Sequence, residues 1–228
     1  MSTYQKIRRT LLGFAIITLF FTIHEWLTTP ASGKIVVIEC LAGIALIFAP
    51  DAIRKISHFY FPKATIYFYW FFLAISVFLG SCLHMMDIVP FWDKILHGTS
   101  PMLLSMIGYG IITNGLQNVS TKKVPVWVFL LFGFGFAGIC GVFWEFWEFT
   151  WDTIANLNLQ RYQTLAGVPY VGRAALMDTM GDLAVNTVGA SIIAIYSYIQ
   201  SRGSGEYFLI YRIVKSKNVT PKDEDYRA

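Results

Sequence analysis

From Val126 to Trp147 the chain reads VWVFLLFGFGFAGICGVFWEFW, 22 residues in which Glu145 is the one charged side chain. A helix of that length rises about 33 Å, enough to cross a hydrocarbon core of about 30 Å. Five further apolar runs lie outward from it, at residues 11–27, 35–49, 64–86, 95–113 and 183–199. The second is short, and the fourth carries glycines and Pro101. The pattern predicts an all-α, polytopic membrane bundle of about six transmembrane helices. It divides into an N-terminal segment (1–10), a six-helix domain (11–200) with a long outer loop at 151–181, and a basic tail (201–228).

Composition agrees. The 228 residues are 55% hydrophobic and only 14% charged, with a mean hydropathy of +0.53. Soluble domains carry about 25% charged residues, so a water-soluble globule is excluded, and so are a disordered chain and a disulfide scaffold. Cys40, Cys82 and Cys140 stand singly inside apolar runs and read as packing residues. Residues 4–9 look like the basic start of a signal peptide. The apolar run after them is too long for one and ends in His24-Glu25-Trp26, so a retained helix is expected.

Basic residues set the orientation. With six spans, fourteen of the eighteen Lys and Arg fall on the side of the two termini and four on the other. The positive-inside rule then places both termini in the cytoplasm of a cytoplasmic membrane. The net charge of +4 needs no nucleic-acid partner. Arg212, Lys215, Lys217 and Lys222 read as a topology determinant near anionic headgroups, although Asp223, Glu224 and Asp225 dilute that tail.

Acids are distributed the other way, nine of fourteen toward the outer side, and three of the four histidines (His24, His84, His97) join them. Ionisable groups at membrane depth cost about 2.5–3.5 kcal/mol each and mark functional sites. Asp93 and His97 are i and i+4. Glu145, Glu148 and Asp152 are i, i+3 and i+7. Asp178, Asp182 and Asn186 are i, i+4 and i+8. Each set occupies one helix face, and a bundle turns such stripes inward. Carboxylates with one imidazole suit Mg, Mn, Ca or Fe better than structural zinc. The expected ligands are Asp93, His97, Glu145, Glu148, Asp178 and Asp182. Glu145 or Glu148 doubles as general base, and Arg173 and Asn186 are expected to contact substrate.

Plainer readings stand beside these. Asp93 can open a helix, Asp178 can be the N-cap of the last span with Asp182 in its first turn, and Asn186 can bond between helices. Glu39 can pair with Lys34 or His24, and His84 with Asp87 can extend the acidic cluster. Gly133, Gly135, Gly138, Gly141, Gly181 and Gly189 read as close-packing positions.

The three polar segments resemble those of the YjdF-like inner-membrane family: Trp92-Asp93 with His97, Glu145 with Glu148, and Asp178-Thr179 with Asp182 before Gly189-Ala190. Asp93-Lys94 with His97, and Arg173 with Asp182, Asn186 and Gly189, are also similar to VanZ-like proteins, which carry a Glu and a Gln where this chain has Glu145 and Glu148. The resemblance covers residues 87–190 and implies a bacterial-type cytoplasmic-membrane protein with an outward polar site. It imports no reaction. The expected function is to act on, or bind, a lipid-linked or small amphipathic ligand. The alternatives are a proton- or cation-coupled transporter and a non-catalytic envelope or resistance factor.

Overall fold

The computed structural model describes residues 1–164 and 166–215. Lys217, Lys222 and the acidic Asp223–Asp225 run lie outside the described residues. The fold is all-helical: α1 (Thr3–Thr28), α2 (Pro30–Ile47), α3 (Ala49–Ser57), α4 (Lys63–Leu73), α5 (Met85–Ile88), α6 (Trp92–Gly115), α7 (Val126–Ala155) and α8 (Met177–Ser201). Two residue pairs, β1 (Phe59–Tyr60) and β2 (Val214–Lys215), form a small antiparallel ladder. Among the described residues five helices are long and apolar enough to cross a membrane. A sixth crossing is counted if α2 and α3, bent by 53° at their junction, make one span.

The bend explains why the second expected span is short. Pro50 has no amide hydrogen to offer the Leu46 carbonyl one turn back, so the helix cannot continue straight. Tyr69 Oη donates to that carbonyl at 2.8 Å, and Trp70 Nε1 donates to the carbonyl of Ile47 at 3.0 Å. The stretch between the second and third apolar runs is thus helix α3 followed by β1.

The chain forms two compact units, Met1–Leu96 with Thr113–Gln117 and the segment from Leu209, and His97–Ile112 with Asn118–Phe208. In the first, α1 buries Tyr4, Leu11, Ala15, Thr18 and Thr22 along one stripe. Its other faces stay as apolar, with Ile17 and Phe20 each 70% exposed, as a lipid-facing helix requires. Thr18 and Thr22 bond back to the carbonyls of Phe14 and Leu19, so no hydroxyl is stranded. Residues 74–82 continue α4 with π-helical winding. The third span therefore ends at Cys82, not Met86, and His84 turns left-handed (φ 57°) into α5. Trp92 Nε1 donates to the Ile75 carbonyl in the widened segment at 3.1 Å.

In the second unit, helices approach closely where glycine permits. A Cβ on Gly189 would strike the Gly98 carbonyl oxygen of α6, and one on Gly141 would strike the Asn186 amide of α8. Gly135 and Gly138, also expected at contacts, face open space. Phe208 is fully buried, stacked on Phe129 at 4.5 Å and edge-on to Tyr109 at 5.1 Å. Boundaries differ from expectation at the long loop before the last span. Helix α7 runs on to Ala155 and α8 starts at Met177, so the connection is 156–176 rather than 151–181. Leu176, not Asp178, is the N-cap of α8. Asp178 lies in its first turn and Asp182 one turn further in.

Candidate functional site

Helix α7 separates its residues sharply by face. Glu145, Glu148 and Asp152 are 4%, 7% and 7% exposed, whereas Phe143 before them and Phe146, Trp147 and Phe149 between them are about half exposed or more. The i, i+3, i+7 stripe expected from sequence is therefore turned into the unit, with the aromatic face outward. Because α7 continues two turns beyond Glu148, that residue does not sit at the negative end of the helix dipole.

The three acids are held differently. Asp152 has a structural task. Its carboxylate accepts the backbone amides of Leu159 at 2.6 Å and Gln160 at 2.9 Å, folding the chain back after the left-handed Asn156 cap. Glu148 accepts the indole Nε1 of Trp144 at 2.8 Å. Glu145 receives only a long bond from Gln160 Nε2 at 3.4 Å on one oxygen, and its Oε1 is buried without a hydrogen-bond partner among the described residues. Burying a carboxylate oxygen without a partner is costly. Such an atom in a native fold calls for a ligand or an ordered water.

Gln160 was not foreseen. Its Nε2 donates to Thr179 Oγ1 at 2.9 Å as well as to Glu145, joining the post-α7 turn to the start of α8. Nothing in its local sequence marks it, because only the Asp152-anchored turn brings it over α7.

Helix α8 supplies the second wall. Asp182 is 1% exposed and Asn186 5%. Asn186 abuts Gly141 of α7, and its Oδ1 has no hydrogen-bond partner among the described residues. That contact sets the register of the two consecutive helices. One turn onward in α7 from Gly141 is Glu145, and one turn back in α8 from Asn186 is Asp182. His97, at 11% side-chain exposure, brings α6 to the same level, with its Nε2 3.8 Å from Asp182 Oδ1. Asp93 is buried and stands one turn before His97 on α6. Asp178 faces Arg161, whose Nη1 is 3.9 Å from Asp178 Oδ1. The arginine beside the acids is thus Arg161. Arg173 is exposed in a short 3-10 turn and pairs with no acid among the described residues.

In the first unit His84 contacts two acids, Glu25 at 2.9 Å through Nε2 and Asp87 at 3.5 Å through Nδ1. The hydrogen bond to Glu25 raises its pKa above the ordinary 6.5, against the opposing effect of partial burial. His24 is exposed.

A family model described as Predicted membrane protein (DUF2238) matches residues 8–203. A protein of Thermotoga maritima, named "Uncharacterized protein", is 32% identical over 160 residues, 68% of this chain and 73% of that one. No solved structure matches the chain. The YjdF-like resemblance pointed to this same family. With five to six apolar helices able to span a bilayer and the family's match running through nearly all of them, the chain belongs to the membrane-protein family described as Predicted membrane protein (DUF2238).

Proposed function

We propose that this protein resides in the cytoplasmic membrane with both termini inside, and that its second unit carries an outward-facing divalent-cation site serving a lipid-linked or small amphipathic substrate. The observation that carries the reading is Glu145. A carboxylate 4% exposed, with one oxygen left unbonded, lies one helical turn from Gly141, which abuts Asn186. Asp182, one turn before Asn186, is 3.8 Å from the His97 imidazole.

The donor chemistry fits a hard cation. His97, Asp182 and Glu145 offer one imidazole and two carboxylates, whereas Asp93, also expected as a ligand, belongs to the first unit. Carboxylate-rich sets with one nitrogen suit Mg, Mn, Ca or Fe. When loaded, such a site supplies an acidified water as nucleophile. Glu148, which accepts the Trp144 indole, is the proposed general base. Asn186 and Arg173 are proposed substrate contacts, Arg173 from the exposed turn leading into α8. The VanZ-like order of Arg173, Asp182, Asn186 and Gly189 supports an envelope-facing ligand.

The test is elemental analysis of purified wild type beside the Glu145→Gln/Glu148→Gln double variant. About one divalent ion per chain in wild type and its loss in the variant is the expected result. Equal metal content in the two proteins overturns the reading.

A further inference from the structure

Helix α3 is amphipathic, and it is mounted the wrong way round for a helix in water. Ala49, Ala52, Ile53 and Ile56 fall at i, i+3, i+4 and i+7 and make one apolar stripe. On a soluble protein that stripe would face the core. Here α3 buries no residue, and Ile53 and Ile56 are 42% and 80% exposed. Its polar side turns to the protein instead. Asp51 holds Arg8 of α1 at 2.8 Å and Arg54 at 3.5 Å. The Arg54 guanidinium also stands 5.7 Å from the Tyr60 ring of β1.

Two further facts say what covers the stripe. Helix α2 has 18 residues, about 27 Å at 1.5 Å each, so nearly all of a core of about 30 Å is consumed before the 53° bend. The helix beyond the bend then begins at the boundary between acyl chains and headgroups. Around it Lys6, Arg9, Lys55 and Lys215 are exposed, and Asp51 is the lone acid among the described residues of 1–10, α3, β1 and β2. Lys215 is held there by the β1–β2 ladder, its Nζ 5.9 Å from the Phe59 ring.

We propose that α3 lies in the membrane interface, with Ala52, Ile53 and Ile56 in the acyl boundary, and that Lys6, Lys55 and Lys215 gather anionic phospholipid headgroups around it. A basic interfacial helix draws on buried apolar area and on the attraction of each cation to an anionic surface. This is independent of the cation-site reading, since every residue named belongs to the first unit.

The experiment uses the full chain in bilayer nanodiscs. A nitroxide at Ile56→Cys, with Cys40, Cys82 and Cys140 replaced by Ala, is read for collision with oxygen and with a water-soluble nickel chelate. Oxygen is expected to dominate at Ile56→Cys and nickel at Lys55→Cys. Equal nickel access at both positions places the stripe in water, open to a protein partner, and overturns the proposal. A second readout needs no label. Wild type in phosphatidylcholine with 30% phosphatidylglycerol is expected to retain more phosphatidylglycerol in native mass spectrometry than the Lys6→Gln/Lys55→Gln/Lys215→Gln variant, at least twofold. Equal retention overturns the headgroup assignment.

Discussion

His97 and Asp182 stand 3.8 Å apart, Nε2 to Oδ1, on helices far separated in sequence, with the carboxylate only 1% exposed. The proposed cation site needs the charge of that carboxylate, and one substitution tests it. Asp182→Asn keeps shape and volume and removes the charge. Manganese affinity, measured by titration calorimetry, is expected to fall by more than the roughly 10–100-fold that an outer partner of a metal site costs.

Gln160 reaches Glu145 and Thr179 with a single amide nitrogen. Gln160→Ala leaves every expected ligand in place and removes only what aims Glu145. A drop of about 10–100-fold in manganese affinity is expected. Asp152→Asn loosens the turn that delivers Gln160 and is expected to give the same loss. Unchanged affinity in both variants would show that the turn does not position Glu145.

Gly141 lies against Asn186 so closely that a methyl group cannot be added without movement. Gly141→Ala is expected to destabilise the protein by about 1–3 kcal/mol through overpacking. Asn186→Ala in the same background empties the clashing volume and is expected to restore part of that loss. A double-mutant cycle on detergent-solubilised protein measures the coupling.

His84 gives the pH dependence its sign. Its pKa in the folded protein is raised above 6.5 by the Glu25 hydrogen bond. The folded state binds this proton more tightly than the unfolded state, so the stabilisation is complete below pH 6.5 and is lost as pH rises through the folded value. The thermal midpoint is expected to decline between pH 6 and pH 8, and His84→Gln to flatten that slope.

Much of the architecture follows from local composition. Long uncharged runs such as 126–144 have no stable alternative to a membrane-crossing helix, because every backbone polar group must be satisfied within the segment. Helical spacing alone put Glu145, Glu148 and Asp152 on one face, and the aromatic residues between them on the other. Spacing did not separate their tasks. Asp152 and Glu145 are equivalent by period, yet Asp152 anchors a turn through two amides and Glu145 keeps an unbonded oxygen. The bend at Phe48 was half legible, since Pro50 forbids one hydrogen bond, but Tyr69 and Trp70 complete it from another helix.

The sequence by itself therefore determined membrane class, the number of apolar helices able to cross a membrane to within one, and the shared face of Glu145, Glu148 and Asp152. Those depend on solvation of a segment and on a period of 3.6 residues, both local properties. Tertiary structure alone decided that Asp182 lies beside His97, that Arg161 rather than Arg173 faces Asp178, and that Gln160 lies over Glu145 of α7. These depend on the register between helices, which is set by side-chain contacts such as Gly141 with Asn186 and by the fold of the 156–176 connection. Neither is encoded in the period of any one segment.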